Sequence, residues 1–472
     1  MAQIAFLTLF LGLAAGSLPV ELTVTGPVAT VELLLDGAPA GRIVGPPWKG
    51  EIDLGPALAP HDLIARALDA QGNEIARVQQ WLNLPRPPAE VDILLETGPA
   101  GRPVAARLTW QSAIGEKPSA MAVTFDDKPL AVGAEGRIKL PAWDPETSHV
   151  LTAQLRFSEV LTARRDVVFG GRYGEQVATE LTAVPVRLRP GKVLPPPERM
   201  VGWFHAGGRP ATVAAVEDGP AEILVVRDLA LSNLFDKLLT EGSQSRPAPR
   251  MSGSIRGSMR RGPNSGSTSG FSSGQRRLDD RRFSMTPDKD ETVRFVWPVP
   301  RVVSASGQTA VIFDMSPNFV ARDGGILWFL ARWVPWEEDP ARQRLADAAA
   351  VAGLQALRAN HRRAVLLVLS EHSLDASLTS PALARQYLNA IRVPLIVWTL
   401  DDAATPAAAA WGGAADVSTV GKMQKAFKRL QEVLAPQRII WIDGRHLPQS
   451  IELSAEAAAV VEPISPAPAA GR

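Results

Sequence analysis

The stretch that most constrains this chain is Glu222-Ile-Leu-Val-Val-Arg-Asp228, followed by Leu231-Ser-Asn-Leu-Phe-Asp-Lys-Leu-Leu239. A short, nearly unbroken apolar run suits a strand covered on both faces, and the residues from Leu231 have helical spacing. Strand, polar turn and helix in that order make the first βα unit of an open α/β sheet, whose ligands bind at the carboxyl ends of the strands. Two later stretches are read onto the same edge. One is Ser306-Gly-Gln-Thr309 with Phe313-Asp314 behind it; the other is the strand Ala364-Val-Leu-Leu-Val-Leu369, which runs into Ser370-Glu371-His372.

Taken together, Asp228-x-Ala230-x-Ser232, Gly307-Gln-Thr309-Ala-Val-Ile-Phe-Asp314 and Ser370-Glu371-His372 with Asp375 and Ser377 resemble the von Willebrand factor type A fold. The similarity is to its bacterial VWFA-related branch, over residues 185 to 450. The resemblance implies a metal-ion-dependent adhesion site, in which Asp-x-Ser-x-Ser, a distant Thr and a Ser/Thr-Asp-Gly turn surround a divalent cation. Carried over by position, the ligands are Asp228, Ser232, Thr309 and Glu371. Two positions depart from the pattern: the first family serine falls on Ala230, and Glu371-His372 stands where the family has Asp-Gly. Mg²⁺ requires near-octahedral oxygen geometry. The set therefore implies Mg²⁺ held weakly or not at all, or Mn²⁺ with His372 supplying an imidazole. A second placement stays open, because Ile312-Phe-Asp314-Met-Ser316-Pro-Asn318 also reads as a strand followed by Asp-x-Ser-x-Asn.

Upstream the pattern changes to short alternating runs separated by turn residues, as in Thr30-Val-Glu-Leu-Leu-Leu-Asp36-Gly37 and His61-Asp-Leu-Ile-Ala-Arg-Ala-Leu-Asp69. Such spacing predicts antiparallel β-sandwiches of immunoglobulin-like type. The expected order is an apolar leader or anchor at 1–17, a sandwich at 18–85 and a second β-rich sandwich at 86–177. A β lead-in follows at 178–221, then the α/β domain at 222–453 and an Ala/Pro-rich, mobile tail at 454–472. The fold class is thus multidomain, two sandwiches followed by a doubly wound α/β domain. In that domain 288–297 and 299–303 are read as the second and third strands, and Arg438 to Gly444 as the closing strand. His61, at a turn that opens a strand, is read as solvated, and Asp126-Asp127 as a hairpin turn rather than a calcium site, because no further acidic cluster accompanies it.

The segment 241–290 interrupts the α/β domain, and over 241–282 it holds nine arginines and no lysine among Ser, Gly and Pro. That composition cannot bury enough apolar surface to offset the entropy of ordering, which predicts a disordered insert. Its charge suits an anionic envelope polymer. The whole chain has a net charge of +1 and gives no reason to expect nucleic acid. Absence of cysteine excludes disulfides and thiol chemistry. Ile4 to Ala15 is uncharged, apolar and short for a membrane span, which predicts export.

Three function classes follow. The leading one is a non-enzymatic module that docks a protein ligand at the edge holding Asp228. The second is a metal-independent structural role in the envelope, acting through the Arg-rich insert or the tryptophans Trp328, Trp333 and Trp336. The third, a hydrolase using Ser370 or Ser373 with His372, lacks a glycine-flanked serine elbow.

Overall fold

The computed structural model describes residues 3–8, 12–85, 89–98, 102–112, 117–126, 128–133, 136–157, 162–170, 181–231, 291–305, 308–316, 319–320, 339–358, 361–400 and 405–464. The Arg-rich insert, all but Leu231 of the helix expected over 231–239, and the three tryptophans lie outside these residues. The chain divides into two compact units, the first holding residues 1–56, 60–182 and 442–447, the second the remainder.

In the first unit, alternating runs become β-sandwiches because one face of each strand must be buried. One sheet of the first sandwich orders Gln3–Phe6, Ser17–Thr25 and Lys49–Asp53; its partner orders Ala38–Ile43, Thr30–Leu35, His61–Leu68 and Glu74–Leu82. Phe6, Val20, Leu22 and Ile52 from one sheet meet Val31, Leu33, Leu63, Ala65 and Leu82 from the other. Residues expected as the start of a leader therefore form a strand here, with Phe6 3% exposed. The second sandwich repeats the plan. Lys128–Leu130, Ala120–Phe125, Ser148–Arg156 and Thr162–Gly170 form one sheet, and Arg137–Lys139, Pro103–Ser112 and Ala89–Thr97 form the other.

Both sandwiches contain the same clasp. Asp36 and Asp126 follow a core strand with positive φ, 52° and 47°. Asp36 exchanges backbone and side-chain hydrogen bonds with Asp62, and its Oδ2 lies 2.7 Å from His61 Nδ1. Asp126 does the same with Val150, and its Oδ2 lies 2.6 Å from His149 Nδ1. The expectation of a solvated His61 is corrected, since its side chain is 13% exposed and paired with Asp36, whereas Asp126 stands at the hairpin turn between Ala120–Phe125 and Lys128–Leu130 as expected.

The second unit is built on a six-stranded sheet. Its strands are β1 (Ala221–Arg227), β2 (Glu291–Val296), β3 (Phe319–Val320), β4 (Arg362–Leu369), β5 (Leu395–Thr399) and β6 (Ala415–Asp416). The order is β3-β2-β1-β4-β5-β6, all parallel except the antiparallel edge β3. Its helices are α1 (Leu345–Arg358), α2 (Pro381–Ala390), α3 (Pro406–Ala410) and α4 (Val420–Leu434). Ile223, Val225, Ala364, Leu366 and Val368 pack with Met423, Phe427, Leu430 and Leu434 of α4. The alternate residues Leu224, Val226, Val365 and Leu367 are equally buried, and α1 packs on β1 and β4. Coverage on both faces explains why β1 and β4 read as unbroken apolar runs.

Three expectations about this unit are corrected. Arg301–Ala305 does not join the six-stranded sheet; it pairs with Gln308–Ile312 as a separate two-stranded ribbon, because pairing across so short a connection closes the least chain. Gln437–Asp443 does not close the parallel sheet. It lies in a second sheet, ordered Val213–Glu217, Gln437–Asp443, Leu181–Leu188 and Val461–Pro463. The tail is ordered as far as residue 464: Ser454 caps a short helix, Ala455–Ala458, and Val461–Pro463 pairs with the lead-in strand.

At Gly353, α1 packs tightly against α2. A Cβ built there would stand 2.2 Å from Leu388 Cδ2 and 3.1 Å from Ile391 Cδ1, both fully buried. Glycine to alanine in a helix ordinarily gains about 1 kcal/mol, whereas overpacking a core costs about 1–3 kcal/mol. Gly353→Ala is expected to lower the midpoint of denaturant unfolding; a raised midpoint would show that the helices separate freely.

At the amino ends of the strands, Glu222 and Arg363 are buried in register on β1 and β4, and Arg294 Nη1 reaches Glu222 Oε1 at 3.5 Å. Burial raises the Glu222 carboxyl and brings the Arg363 guanidinium down to about 10. Removing one partner of such a group leaves an uncompensated charge, worth about 3–5 kcal/mol. Glu222→Leu is expected to destabilise by that order, and a second change, Arg363→Met, to restore part of it in a double-mutant cycle.

Candidate functional site

The turn after β1 places Asp228 under the sheet edge, where it is 0% exposed. Its backbone N–H donates to Val368 O at 2.9 Å, which locks the end of β1 to the end of β4. A carboxylate removed from water needs hydrogen-bond donors on both oxygens. Oδ1 accepts from Ala230 N and from Gln343 Nε2, each at 2.9 Å. Oδ2 accepts from Ser370 N at 3.1 Å, from Ser370 Oγ at 2.5 Å and from Ser373 Oγ. Five donors from three segments thus converge on one side chain.

Gln343 carries this arrangement onward to α1. Its Oε1 accepts from Leu229 N at 3.0 Å, and its Nε2 also donates to Leu374 O at 2.7 Å. The first N–H groups of a helix have no partner within it. Here the loop after β4 supplies them: Asp375 accepts from Leu345 N and Ala346 N, and Ser377 Oγ from Ala346 N and Asp347 N. In return Asp347 accepts from Leu378 N at 3.0 Å and Thr379 N at 2.9 Å. The loop from 370 to 380 is therefore pinned along its length. It nevertheless presents Leu374, 55% exposed, and Leu378, 87% exposed.

The expected ligands are not brought together as a set among the described residues. Asp228 is buried, whereas Glu371 is exposed on the turn beyond Ser370. Thr309 lies in the separate ribbon, in register with Ser304; its side chain and Ser232 fall outside the described residues. The alternative loop is used otherwise: Asp314 takes a bidentate ion pair from Arg301, at 2.5 and 2.6 Å, and Ser316 Oγ accepts from Phe295 N at 2.9 Å. The two carboxylate oxygens of Asp228 offer about four lone-pair directions, and five protein donors already point at them, three N–H groups and two hydroxyls. Among the described residues, no three His, Asp or Glu side chains group to hold a metal.

Gln343 and Ser373 are the participants that sequence reasoning missed in these roles. Gln343 follows the turn Asp339-Pro340 and lies 115 residues from Asp228, so no local pattern marks it. Asp228→Ala is expected to destabilise by about 3–5 kcal/mol. Gln343→Ala should cost about 1–3 kcal/mol, the price of one unsatisfied buried donor. Chemical denaturation of the full chain measures both, and equal, near-zero effects would show that the network is dispensable.

No family model matches this chain. No curated protein matches it either. Solved structures similar to parts of this chain include fibronectin III modules and β-glucuronidases. The fibronectin(III)-like modules of Clostridium thermocellum CbhA share 14% identity at a TM-score of 0.15, over 36% of this chain and 94% of that one. The central fibronectin III array of RIM-binding protein shares 14% at 0.23, over 43% and 81%. The Bacteroides ovatus mixed-linkage glucan utilization locus protein SGBP-B, in complex with a mixed-linkage heptasaccharide, shares 12% at 0.13, over 39% and 72%.

Proposed function

We propose that this protein is an exported, non-enzymatic interaction module, in which a type A-like domain docks a protein ligand at the carboxyl edge of its parallel sheet without a bridging cation. The observation that carries this reading is the pinned loop from 370 to 380, which spends its polar groups on α1 and Asp228 while leaving Leu374 and Leu378 in solvent. A contact surface ordered before binding loses little entropy when a partner arrives. The strand order β3-β2-β1-β4-β5-β6, with an antiparallel edge, supports the type A reading of the domain. Ser370 and Ser373 are poor nucleophile candidates, since both hydroxyls donate to a carboxylate that no substrate reaches. The uncharged apolar run from residue 4 supports export. Among the described residues no helix is long and apolar enough to cross a membrane.

Two measurements test the reading. Thermal unfolding of the full chain is expected to show the same midpoint with and without millimolar Mg²⁺ or Mn²⁺. A rise that Asp228→Asn abolishes would restore the cation. A photo-crosslinking amino acid at position 378, in the producing cell, is expected to give one discrete protein adduct that is absent from the same probe at Val193, another exposed position. Equal or no adducts at the two positions would remove the docking edge.

A further inference from the structure

We propose that the second sandwich contains a built protonation site: His149 is held as an imidazolium by acceptors at both ring nitrogens, and the clasp it forms loosens when that proton leaves. The inference is independent of the docking function. Nδ1 faces Asp126 Oδ2 at 2.6 Å, while Nε2 faces Asp144 O at 2.9 Å and Thr147 Oγ1 at 2.8 Å. A carboxylate and a carbonyl oxygen only accept. The Thr147 hydroxyl has Asp144 O as an acceptor of its own at 3.1 Å, so that its lone pairs can face the ring. Only a ring that donates from both nitrogens satisfies the carboxylate and the carbonyl together, and neutral imidazole has only one N–H.

The surroundings suit a cation. Phe125 stacks on the ring with centroids 5.1 Å apart and planes at 16°, and Trp143 meets it edge-on at 5.5 Å. Phe169, the register partner of His149 on the adjacent strand, lies at 6.4 Å. The charged groups that act on the pair are Asp126, Asp144 and, through Asp126, Lys128; the other facing groups named here, Phe125, Trp143, Thr147 and Phe169, are neutral. The first sandwich provides an internal comparison. His61 makes the same contact to Asp36, yet its Nε2 is buried with no hydrogen-bond partner.

The direction of the pH effect follows from the contacts. The hydrogen bond to Asp126 raises the His149 imidazole above its ordinary value, against the opposing effect of burial. That contribution is fully present below the ordinary histidine value and is lost as pH rises through the raised one. Burial pushes the Asp126 carboxyl up, but the bonds from His149 and Val150 N–H outweigh it and hold it below the usual carboxylate range. Its contribution is present above the ordinary aspartate value and is lost as pH falls through the lowered one. The clasp is accordingly strongest between the two.

Long-range ¹H–¹⁵N spectra of histidine side chains in the full chain test this directly. At about pH 7, above the unperturbed histidine value of about 6.5, His149 is expected to show two protonated nitrogens, with the His61 signals reporting the carboxylate contact without a second acceptor. Asp126→Asn should move the His149 midpoint down by at least one pH unit while keeping the ring in place. His149→Gln should remove the loss of second-sandwich stability on the alkaline side. A single N–H at His149 below pH 6.5, or a midpoint unchanged in Asp126→Asn, overturns the proposal. Should His149→Gln fail to fold, the Asp126→Asn midpoint decides alone.

Discussion

A carboxylate with no access to water sets the terms for the second unit. Asp228 ends β1 at the centre of the parallel sheet, and its desolvation is tolerable only because Ala230, Gln343, Ser370 and Ser373 all donate to it. Those donors come from the turn after β1, the approach to α1 and the loop after β4. Satisfying one side chain therefore fixes how three connections meet at one edge. The same hydroxyl and amide groups that satisfy the carboxylate also order the edge.

The first unit solves a different problem, that of small sandwiches closed by hairpins. Its cores are ordinary alternating apolar layers. What fixes the hairpin against the neighbouring strand is an aspartate in a left-handed turn whose carboxylate bonds the next strand's backbone and its histidine. The two copies of this clasp match in geometry and exposure although 90 residues separate Asp36 from Asp126. They differ at the far side of the ring, where only the second copy meets a carbonyl and a hydroxyl. A difference of two acceptors turns one structural contact into a site that responds to protons.

Much of the architecture was legible because period and burial are local. The alternation of Thr30 to Leu35 and the unbroken run from Ala364 to Leu369 each report how many faces the strand has covered. Asp228 stood out for the same reason, as a charge ending an apolar strand. The misreadings have a common physical origin in pairing partners that period does not name. Arg301–Ala305 and Gln437–Asp443 carry strand-like patterns, but the pattern is silent on which sheet receives them. Gln343 could not be found at all, since its importance exists only once α1 begins beside the end of β4. The paired histidines were passed over because each aspartate lies more than twenty residues before its partner.

The pairing of Val461–Pro463 with Leu181–Leu188 has a kinetic side. Arg187 bonds Glu462 across 275 positions of chain, so the second sheet of this unit lacks one of its edges until that length of chain has followed. A ribosome adding about 5–20 residues per second takes on the order of tens of seconds to cover that distance. During that interval the sandwiches have every strand they need, while the α/β unit waits with an open sheet edge. Synthesis thus separates the two units in time: the sandwiches can fold as they emerge, and the second sheet is completed only when Val461–Pro463 follows.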